Sequence, residues 1–359
     1  MPRLPFASAY LLVLAHVVGL ELRGPWVWLA ASYVFVLIPL LDQIVPVPPP
    51  DDERAEAMPS RSRGHDLLLE LWLPTQAAVL TWTLWRVTTA PPGWLEWCGL
   101  VVSAGIVSGA GGITIAHELM HRARALHRGL AEGLMACTLY AHFCVEHVLG
   151  HHKRAATRDD PATARRGEWV YAFLVRVVAT TAVHAWQLEG RRTRNQGIAW
   201  TLKDRRVRYA LLQAGLVAAV ALAFRGAGLG FFLAQAAFAV LLLELVDYIE
   251  HYGLVRRVLP TGKTERVHPH HSWNSAHRVS SAHLFQLTRH SDHHANASRP
   301  YHRLRTLPGK APVMPGGYPA MMLLSLAPPL FFRVVDPLID DLEARTAAGT
   351  STGAATPAG

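Results

Sequence analysis

The sequence contains little cysteine and little charge. Cysteine occurs only at Cys98, Cys137 and Cys144 in 359 residues, and no two of these form a C-x-x-C pair. A zinc ribbon, an iron–sulfur cluster or a disulfide framework is therefore not indicated. Charged residues make up 17% of the chain and hydrophobic residues 51%, with a mean hydropathy of +0.17. These values are typical of a chain that places much of its surface in lipid.

The positive charge of the chain does not indicate a nucleic-acid partner. The formal net charge is +9, but the lysines and arginines gather in loops between apolar runs, as in membrane proteins. Histidine is unusually abundant, with 20 residues. Because cysteine ligands are scarce, any redox centre within this chain has to use nitrogen and oxygen ligands.

The apolar runs predict an all-α integral membrane protein with about six transmembrane helices. Each run is near the ~20 residues that a helix needs to cross a bilayer. A removable signal peptide is the alternative for the first run, but a second long run follows at once and favours a retained span. Shorter apolar stretches at 130–144 and 170–186 are expected to lie at the membrane interface. The predicted spans are 4–20, 25–45, 67–89, 94–116, 209–224 and 229–249.

The charge distribution predicts the orientation of these spans. The short turns on one side hold only Arg23 and Arg225, whereas the opposite side holds nearly all other lysines and arginines. The positive-inside rule then places both termini and every histidine-rich segment in the cytoplasm, with the chain crossing the bacterial inner membrane. We expect one membrane domain over 1–335 and a tail over 336–359 whose end is disordered.

Four histidine-rich segments lie on the predicted cytoplasmic side. They are H-E-L-M-H at 117–121, E-H-V-L-G-H-H at 146–152, D-Y-I-E-H-Y-G at 247–253, and a segment at 284–301 that contains R-H-S-D-H-H-A. H-E-x-x-H alone is also the pattern of a zinc metalloprotease, which needs only one further ligand. The candidate metal ligands number nine: His117, His121, His147, His151, His152, His251, His290, His293 and His294.

Nine imidazoles exceed the four to six ligands of one metal ion, so the sequence predicts a dinuclear site. The adjacent His293 and His294 diverge by roughly 100° on a helix, which fits two ions better than one. Zinc and copper remain possible from the ligand type alone. Acids beside the ligands are expected to accept the second ring N–H of the imidazoles, namely Glu118, Glu146, Glu250 and Asp292.

These segments resemble the membrane-bound alkane 1-monooxygenase family, within the integral-membrane fatty-acid desaturase/hydroxylase group of di-iron proteins. The resemblance rests on the segments at 117–121, 146–152, 248–253 and 289–295, and it extends over about residues 30 to 335. Further matches are D-P-A-T at 160–163, P-H-H-S-W-N-S at 269–275 and P-Y at 300–301.

Three positions depart from the pattern of that family. Arg122 replaces a common Lys, Thr288 a usual Gln and Asp247 a usual Asn. None of these removes a candidate ligand. They leave the substrate range open, including alkyl groups on aromatics or terpenoids. The resemblance also adds Asp160 to the acids expected beside the ligands.

The resemblance implies O2-dependent hydroxylation of an alkane to a primary alcohol at two non-haem irons. It further implies electrons from a separate rubredoxin and its NAD(P)H-dependent reductase. A fatty-acid desaturase would use the same metals with a different histidine spacing. A metal transporter would need polar residues within the spans, where His16 and Glu70 are the main exceptions.

Two surfaces are predicted for the partners of this reaction. Val34 lies about 12 Å above Asp42 on the same face of the second span, so it is the candidate lining residue of an alkane channel. An acidic rubredoxin would dock on the basic cytoplasmic face. The candidate docking residues are Lys153, Arg154, Arg165, Arg166, Arg191 and Arg192.

Overall fold

Apolar runs form long helices in the computed structural model, which describes residues 4–351. The first five helices are α1 (Leu4–Leu22), α2 (Gly24–Ile44), α3 (Asp52–Ala57), α4 (Arg63–Thr89) and α5 (Trp94–Met120). Then come α6 (Ala125–Ala136), α7 (143–154), α8 (Val170–Asn195), α9 (Arg205–His251), α10 (Arg278–His283), α11 (His290–Ala295), α12 (Tyr318–Ser325) and α13 (Pro328–Ser351). Short 3-10 turns occupy Pro269–His271 and Tyr301–Arg303. Residues 4–351 contain two isolated β-bridges and no strand.

Five helices are long and apolar enough to cross a membrane: α1, α2, α4, α5 and α9. The last of these has 47 residues and contains both the fifth and the sixth predicted spans. Arg225 interrupts it with φ 56° and ψ −161°, a conformation that no right-handed helix contains. Arg23, between α1 and α2, has nearly the same conformation, with φ 59° and ψ −164°. The prediction of a multi-pass helical membrane protein is confirmed.

Helix α5 forms the centre of the bundle. In its most apolar stretch 83% of the residues are buried, compared with 28% in α2. Glycines let its backbone approach neighbouring helices closely. A Cβ added at Gly109 would lie 3.1 Å from the Ala239 backbone of α9, and one added at Gly111 would lie 1.9 Å from the Trp72 ring of α4. Close packing on both sides therefore fixes the C-terminal end of α5, which carries the first two candidate ligands.

Three helices contain a π-helical segment, in which hydrogen bonds join residues five apart and the turn is wider. The segments are Tyr33–Leu37 in α2, Val107–Ile113 in α5 and His147–His151 in α7. Each contributes residues either to the histidine cluster or to the cavity beside it. The wide turns thus coincide with the functional region, as π-bulges often do.

The region between α5 and α9 differs in detail from the sequence expectation. The stretch at 130–144 is not one helix, because α6 ends at Ala136 and Leu139 takes a left-handed φ of 56° before α7 begins. Helix α8 is not among the five helices that could cross a membrane. Helix α13 continues through the expected tail to Ser351, and residues 352–359 lie outside the described part of the chain.

Two polar residues within the spans are bonded to neighbouring helices. His16 is buried between Ser103 Oγ and Thr83 Oγ1, at 2.9 Å and 2.8 Å from its two ring nitrogens. Glu70 Oε1 lies 3.0 Å from His127 Nε2. A polar group in a bilayer needs such an internal partner. These two residues therefore join helices and do not form a polar line across the membrane, as a transporter would require.

Candidate metal centre

The structure brings all nine candidate histidines together at one end of the bundle. They come from the ends of α5 and α9 and from α7 and α11. Eight of them form two sets of four whose ligand atoms lie within 4.8 Å of one another. We call His117, His121, His147 and His293 the first histidine group, and His151, His251, His290 and His294 the second histidine group.

The second histidine group has the spacing of a metal coordination shell. His290 Nε2 lies 3.0 Å from His251 Nε2 and 2.9 Å from His294 Nε2, which lies 3.2 Å from His151 Nε2. Nitrogens at about 2.1 Å from one metal and 90° apart are about 3.0 Å from each other. Four Nε2 atoms facing one another at this distance fit a metal ion between them.

The ninth histidine, His152, lies next to the first histidine group. His152 Nε2 lies 3.0 Å from His147 Nε2 and 3.1 Å from His293 Nε2. His121 Nε2 is buried and has no hydrogen-bond partner among the described residues. A buried polar atom without a partner is costly unless a bound group satisfies it. The donor set therefore fits a metal ion here as well.

The π-helical turn of α7 explains how its three histidines are divided between the two histidine groups. On a regular α-helix His147 and His151, four residues apart, would share one face. The wider turn at His147–His151 instead brings His147 next to His152, five residues on. His151 then belongs to the other group.

Helix α11 divides its three histidines as an ordinary α-helix does. His290 and His294, four residues apart, share the second histidine group, while His293 faces the first. The divergence of His293 and His294 that the sequence predicted is present. Six residues of helix thereby supply ligands to both groups.

Burial keeps most of these imidazoles neutral. It lowers the pKa of His121 to about 4 and the pKa of His147, His290 and His293 well below the usual value. Burial acts in the same direction on the pKa of His151, but the Asp160 carboxylate beside it raises that pKa overall. A neutral imidazole has a free lone pair, so these rings are ready to bind metal at neutral pH.

Two of the five candidate acids contact ligand imidazoles. Asp160 Oδ2 lies 2.9 Å from His151 Nδ1 and also accepts a hydrogen bond from Thr163 at 2.6 Å. Glu250 Oε1 lies 3.3 Å from His290 Nδ1 and accepts a hydrogen bond from the Tyr318 hydroxyl at 2.7 Å. Both acids lie beside imidazoles of the second histidine group. A carboxylate hydrogen-bonded to the far ring nitrogen, as Asp160 is to His151, fixes the ring and strengthens it as a ligand. Glu250 lies close to His290 Nδ1 without a hydrogen bond to it.

The other three acids have arginine partners. Glu118 pairs with Arg122 at 2.5 Å, and Glu146 with Arg154 at 3.0 Å. Asp292 Oδ1 lies 2.8 Å from Arg305. These pairs hold the segments that carry ligands, and each acid is next to a ligand in the sequence. The role expected for the three acids, as acceptors for ligand imidazoles, differs from these contacts.

Sequence reasoning missed two residues that support the site. Tyr318 and Thr163 hold Glu250 and Asp160, and both are buried. Thr163 belongs to the D-P-A-T segment, which offered a signal, because a hydroxyl three residues after Asp160 can reach its carboxylate. Tyr318 lies 68 residues from Glu250, and no local pattern indicates that pairing.

A narrow cavity leads from the membrane bundle to the first histidine group. It has a free volume of about 60 Å³ and is lined by residues of α2, α5, α9 and α12. Val34 lines one part of the cavity and His117 another, and Asp247 and Glu250 also contribute to its wall. Val34 is buried rather than facing lipid, with 6% of its surface exposed. Most of the other lining residues are apolar.

A third set of metal-binding residue types lies outside this cluster. Glu265, His270 and His271 have their ligand atoms within 4.8 Å of one another. Glu265 already pairs with the Arg257 guanidinium at 3.2 Å and accepts from the Arg257 backbone N–H at 2.8 Å. A carboxylate that is neutralised by arginine has little attraction left for a cation. We interpret this set as a structural hydrogen-bond cluster.

Comparison with known proteins agrees with the geometry. The family model described as Fatty acid desaturase matches residues 92–324. Alkane 1-monooxygenase 2 of Pseudomonas aeruginosa is 39% identical over 325 residues, covering 89% of this chain and 86% of that protein. Alkane 1-monooxygenase of Ectopseudomonas oleovorans is 40% identical, covering 78% and 70% respectively.

A more distant relative has a different named substrate. The xylene/toluene monooxygenase hydroxylase component XylM of Pseudomonas putida is 29% identical over 339 residues, covering 92% of this chain and 87% of that protein. The alkane 1-monooxygenases are thus more similar over a comparable share of the chain. With its two histidine groups at the end of a helical membrane bundle, this chain belongs to the alkane 1-monooxygenases of the fatty acid desaturase family.

Proposed function

We propose that this protein hydroxylates the terminal methyl group of alkanes with O2 at a di-iron centre. The observation that carries the proposal is the pair of histidine groups at the end of a narrow apolar cavity. The relatives are named alkane 1-monooxygenases. Each turnover consumes one alkane, one O2, two electrons and two protons, and yields one alcohol and one water.

The nine histidines would hold two irons, the first histidine group with His152 around one and the second around the other. Zinc has the right ligands but no redox chemistry, whereas oxygenation requires a metal that passes electrons. When bound, the irons would supply the reduction and cleavage of O2. The protein holds the ligands, excludes bulk water and aligns the methyl group. Asp160 and Glu250 support this role because each contacts a ligand imidazole.

The alkane would enter the cavity from the bilayer. An alkane dissolves in lipid, and apolar residues of the spans line the cavity up to His117. Val34 is the residue proposed to determine which chain lengths fit, since it lines the part of the cavity formed by α2. Its side chain is small, so a longer substrate can pass where a larger residue would block it.

Electrons would come from a separate rubredoxin reduced by an NAD(P)H-dependent reductase, because the chain has three cysteines and no cysteine pair to hold an iron–sulfur cluster. Three of the six candidate docking residues pair with acids of this chain: Arg154 with Glu146, Arg166 with Asp340 and Arg192 with Glu189. The other three are exposed and have no ion-pair partner within residues 4–351. We therefore assign docking to Lys153, Arg165 and Arg191.

The proposed location is the bacterial inner membrane, with both termini and the metal centre in the cytoplasm. The support is the distribution of arginine and lysine, which leaves only Arg23 and Arg225 in the turns on the opposite side. A reduced rubredoxin and its reductase would meet the metal centre on that side.

The test is product analysis by mass spectrometry. Purified, iron-loaded protein is supplied with O2, rubredoxin, reductase and NADH, and with linear alkanes of increasing length. We expect primary alcohols whose oxygen derives from ¹⁸O2. Toluene and xylenes are included because of the similarity to XylM, and preferential formation of benzyl alcohols would favour that second function. Unsaturated products from fatty acyl chains would instead indicate a desaturase.

A further inference from the structure

The loop between α2 and α4 reaches across to the segment that carries α11. We call residues 51–59 of this loop the strap. At one end of the strap Asp51 pairs with Arg289 at 2.9 Å, directly before α11 begins. Further along, Glu56 pairs with Arg305 at 2.5 Å. The strap is thus joined by ion pairs to both sides of the helix that supplies three candidate ligands.

Polar contacts hold the strap, and apolar packing contributes little. Asp52 accepts hydrogen bonds from the Thr306 backbone and hydroxyl, at 2.7 Å and 2.8 Å, and from the Leu307 backbone at 3.1 Å. Ala55 is the only buried residue in 46–62. A segment with few buried apolar contacts opens at a low free energy while the rest of the protein stays folded.

A cavity separates part of the strap from the segment that precedes α11. The cavity has a free volume of about 260 Å³. Asp51 and Arg54 line it on the strap, and Arg278, Ser281 and Arg289 line it on the opposite side. Because this space is not filled by side chains, the strap can move there without breaking a close-packed core.

Helix α11 depends on outside contacts for its position. It has six residues, too few for a helix that is stable on its own. The buried Asp292 carboxylate in the middle of α11 binds one terminal nitrogen of Arg305 at 2.8 Å, and the other terminal nitrogen binds Glu56 of the strap. Release of the strap therefore removes support from α11.

The second histidine group is closed to solvent. All four of its imidazoles are buried, so a metal ion reaches this group only when a segment that carries ligands moves. His251 ends the long membrane helix α9, which the bundle holds in place. His290 and His294 lie on the short α11. Movement of α11 is thus the smallest change that opens the second histidine group.

We propose that the strap is a gate for metal exchange at the second histidine group. When Asp51, Asp52 and Glu56 release their partners, α11 moves and the group opens; when they bind again, the group closes. This inference rests on the proposed function, because it takes iron as the metal, and it adds how iron enters the closed site.

The first test follows iron and not turnover. Loading of the metal-free protein with Fe²⁺ and release from the loaded protein to an Fe²⁺ chelator are both timed. The double variant Asp52→Ala/Glu56→Gln removes two anchors and leaves the pair of the buried Arg289 in place. We expect the slow phases of loading and of release each to accelerate by about tenfold, with about two irons per chain still bound at saturation.

Glu53→Gln is the matched control, because Glu53 is an exposed acid of the same helix whose side chain has no partner within residues 4–351. Equal slow phases in the wild type and the double variant would overturn the gate. Faster release together with slower loading would also overturn it, since that result describes a weakened site and not an opened one.

Hydrogen exchange of the iron-loaded protein gives a second measurement. Exchange in 289–307 should be faster in the double variant than in the wild type and Glu53→Gln. Exchange in 94–116 of α5 should be the same in all three proteins. Faster exchange in both segments would indicate general unfolding and would overturn the gate.

The two proposals fail in different ways. If the wild type forms no alcohol from any alkane or alkyl aromatic, the proposed function is wrong, and the kinetics of iron still decide the gate. If the wild type is active and the double variant retains its slow phases, only the gate is wrong.

Discussion

The two histidine groups use the same ligand type in different surroundings. In the second group all four imidazoles are buried, and Asp160 and Glu250 lie beside the far ring nitrogens of His151 and His290. In the first group His121 is half-buried, as is the adjoining His152. No imidazole of the first group forms an ion pair with a carboxylate among residues 4–351.

The same ligand type therefore need not give equal metal sites. A carboxylate on the far ring nitrogen fixes the orientation of an imidazole and increases its basicity. The second histidine group should therefore hold its metal more tightly. The first histidine group borders the cavity through His117, so a metal held there would lie nearer to a substrate in the cavity and should exchange more easily.

The largest expected effect is the loss of a ligand from either group. We expect His251→Ala and His293→Ala each to lower alcohol formation by more than about 100-fold, beyond the usual effect of losing an outer hydrogen-bond partner. The proposed di-iron reaction needs both groups, since each would hold one of the two metals. The measurement is the rate of product formation in membranes with excess rubredoxin. A variant that keeps half of the wild-type rate would show that its group is dispensable.

A smaller effect is expected from the outer carboxylate. Asp160→Asn should weaken metal binding in the second histidine group by about 10- to 100-fold and leave the first unchanged. Chelator titration that follows iron release should therefore change in one phase only. Asp204→Asn is the control, since this buried acid caps α9 far from the cluster. Equal weakening of both phases would remove the distinction between the groups.

A substitution of Val34 tests whether the cavity beside the first histidine group holds the alkane. Val34→Trp should fill the part of the cavity formed by α2 and shift products toward shorter alkanes, with iron content unchanged. Val36→Trp is the matched control, because Val36 is 55% exposed on the same helix. The wild type and the two variants are compared by their product yields across a series of alkanes. An unaltered chain-length profile in iron-loaded Val34→Trp would place the channel elsewhere.

The smallest effect is expected at the docking surface. Arg165→Gln should raise the KM for rubredoxin by a few-fold at low salt, and the difference should shrink above about 0.1 M salt, where the Debye length falls below ~10 Å. Arg61→Gln, an exposed arginine in another loop, serves as the control. A KM for rubredoxin that does not depend on salt in the wild type would reject electrostatic docking and leave the chemistry intact.

The sequence predicted the spans and the histidine cluster because both depend on local spacing. Runs of about 20 apolar residues become membrane helices, and histidines four residues apart, such as His290 and His294, meet on one face. The sequence could not predict the wide turn at His147–His151, because no residue pattern there requires it. That turn decides which group each histidine of α7 joins.

The five candidate acids show a second limit of prediction from the sequence, which concerns the partners that each acid contacts. Four of the five acids are next to a ligand histidine in the sequence, but which groups they contact also depends on distant segments. Glu118 accepts from the Tyr301 backbone, 183 residues away, and Asp292 pairs with Arg305. Glu250 does contact an imidazole, in a position that Tyr318 helps to hold. Tertiary packing determines which groups these acids contact, and the local spacing of residues in the sequence does not reveal it.

Metal stoichiometry tests the division into two groups most directly. Iron per chain is measured in the purified wild type, in His293→Ala, in His251→Ala and in the double variant. We expect about two irons in the wild type, about one in each single variant and none in the double variant. One iron in the wild type, or the loss of both irons in each single variant, would contradict two separate metal-binding groups.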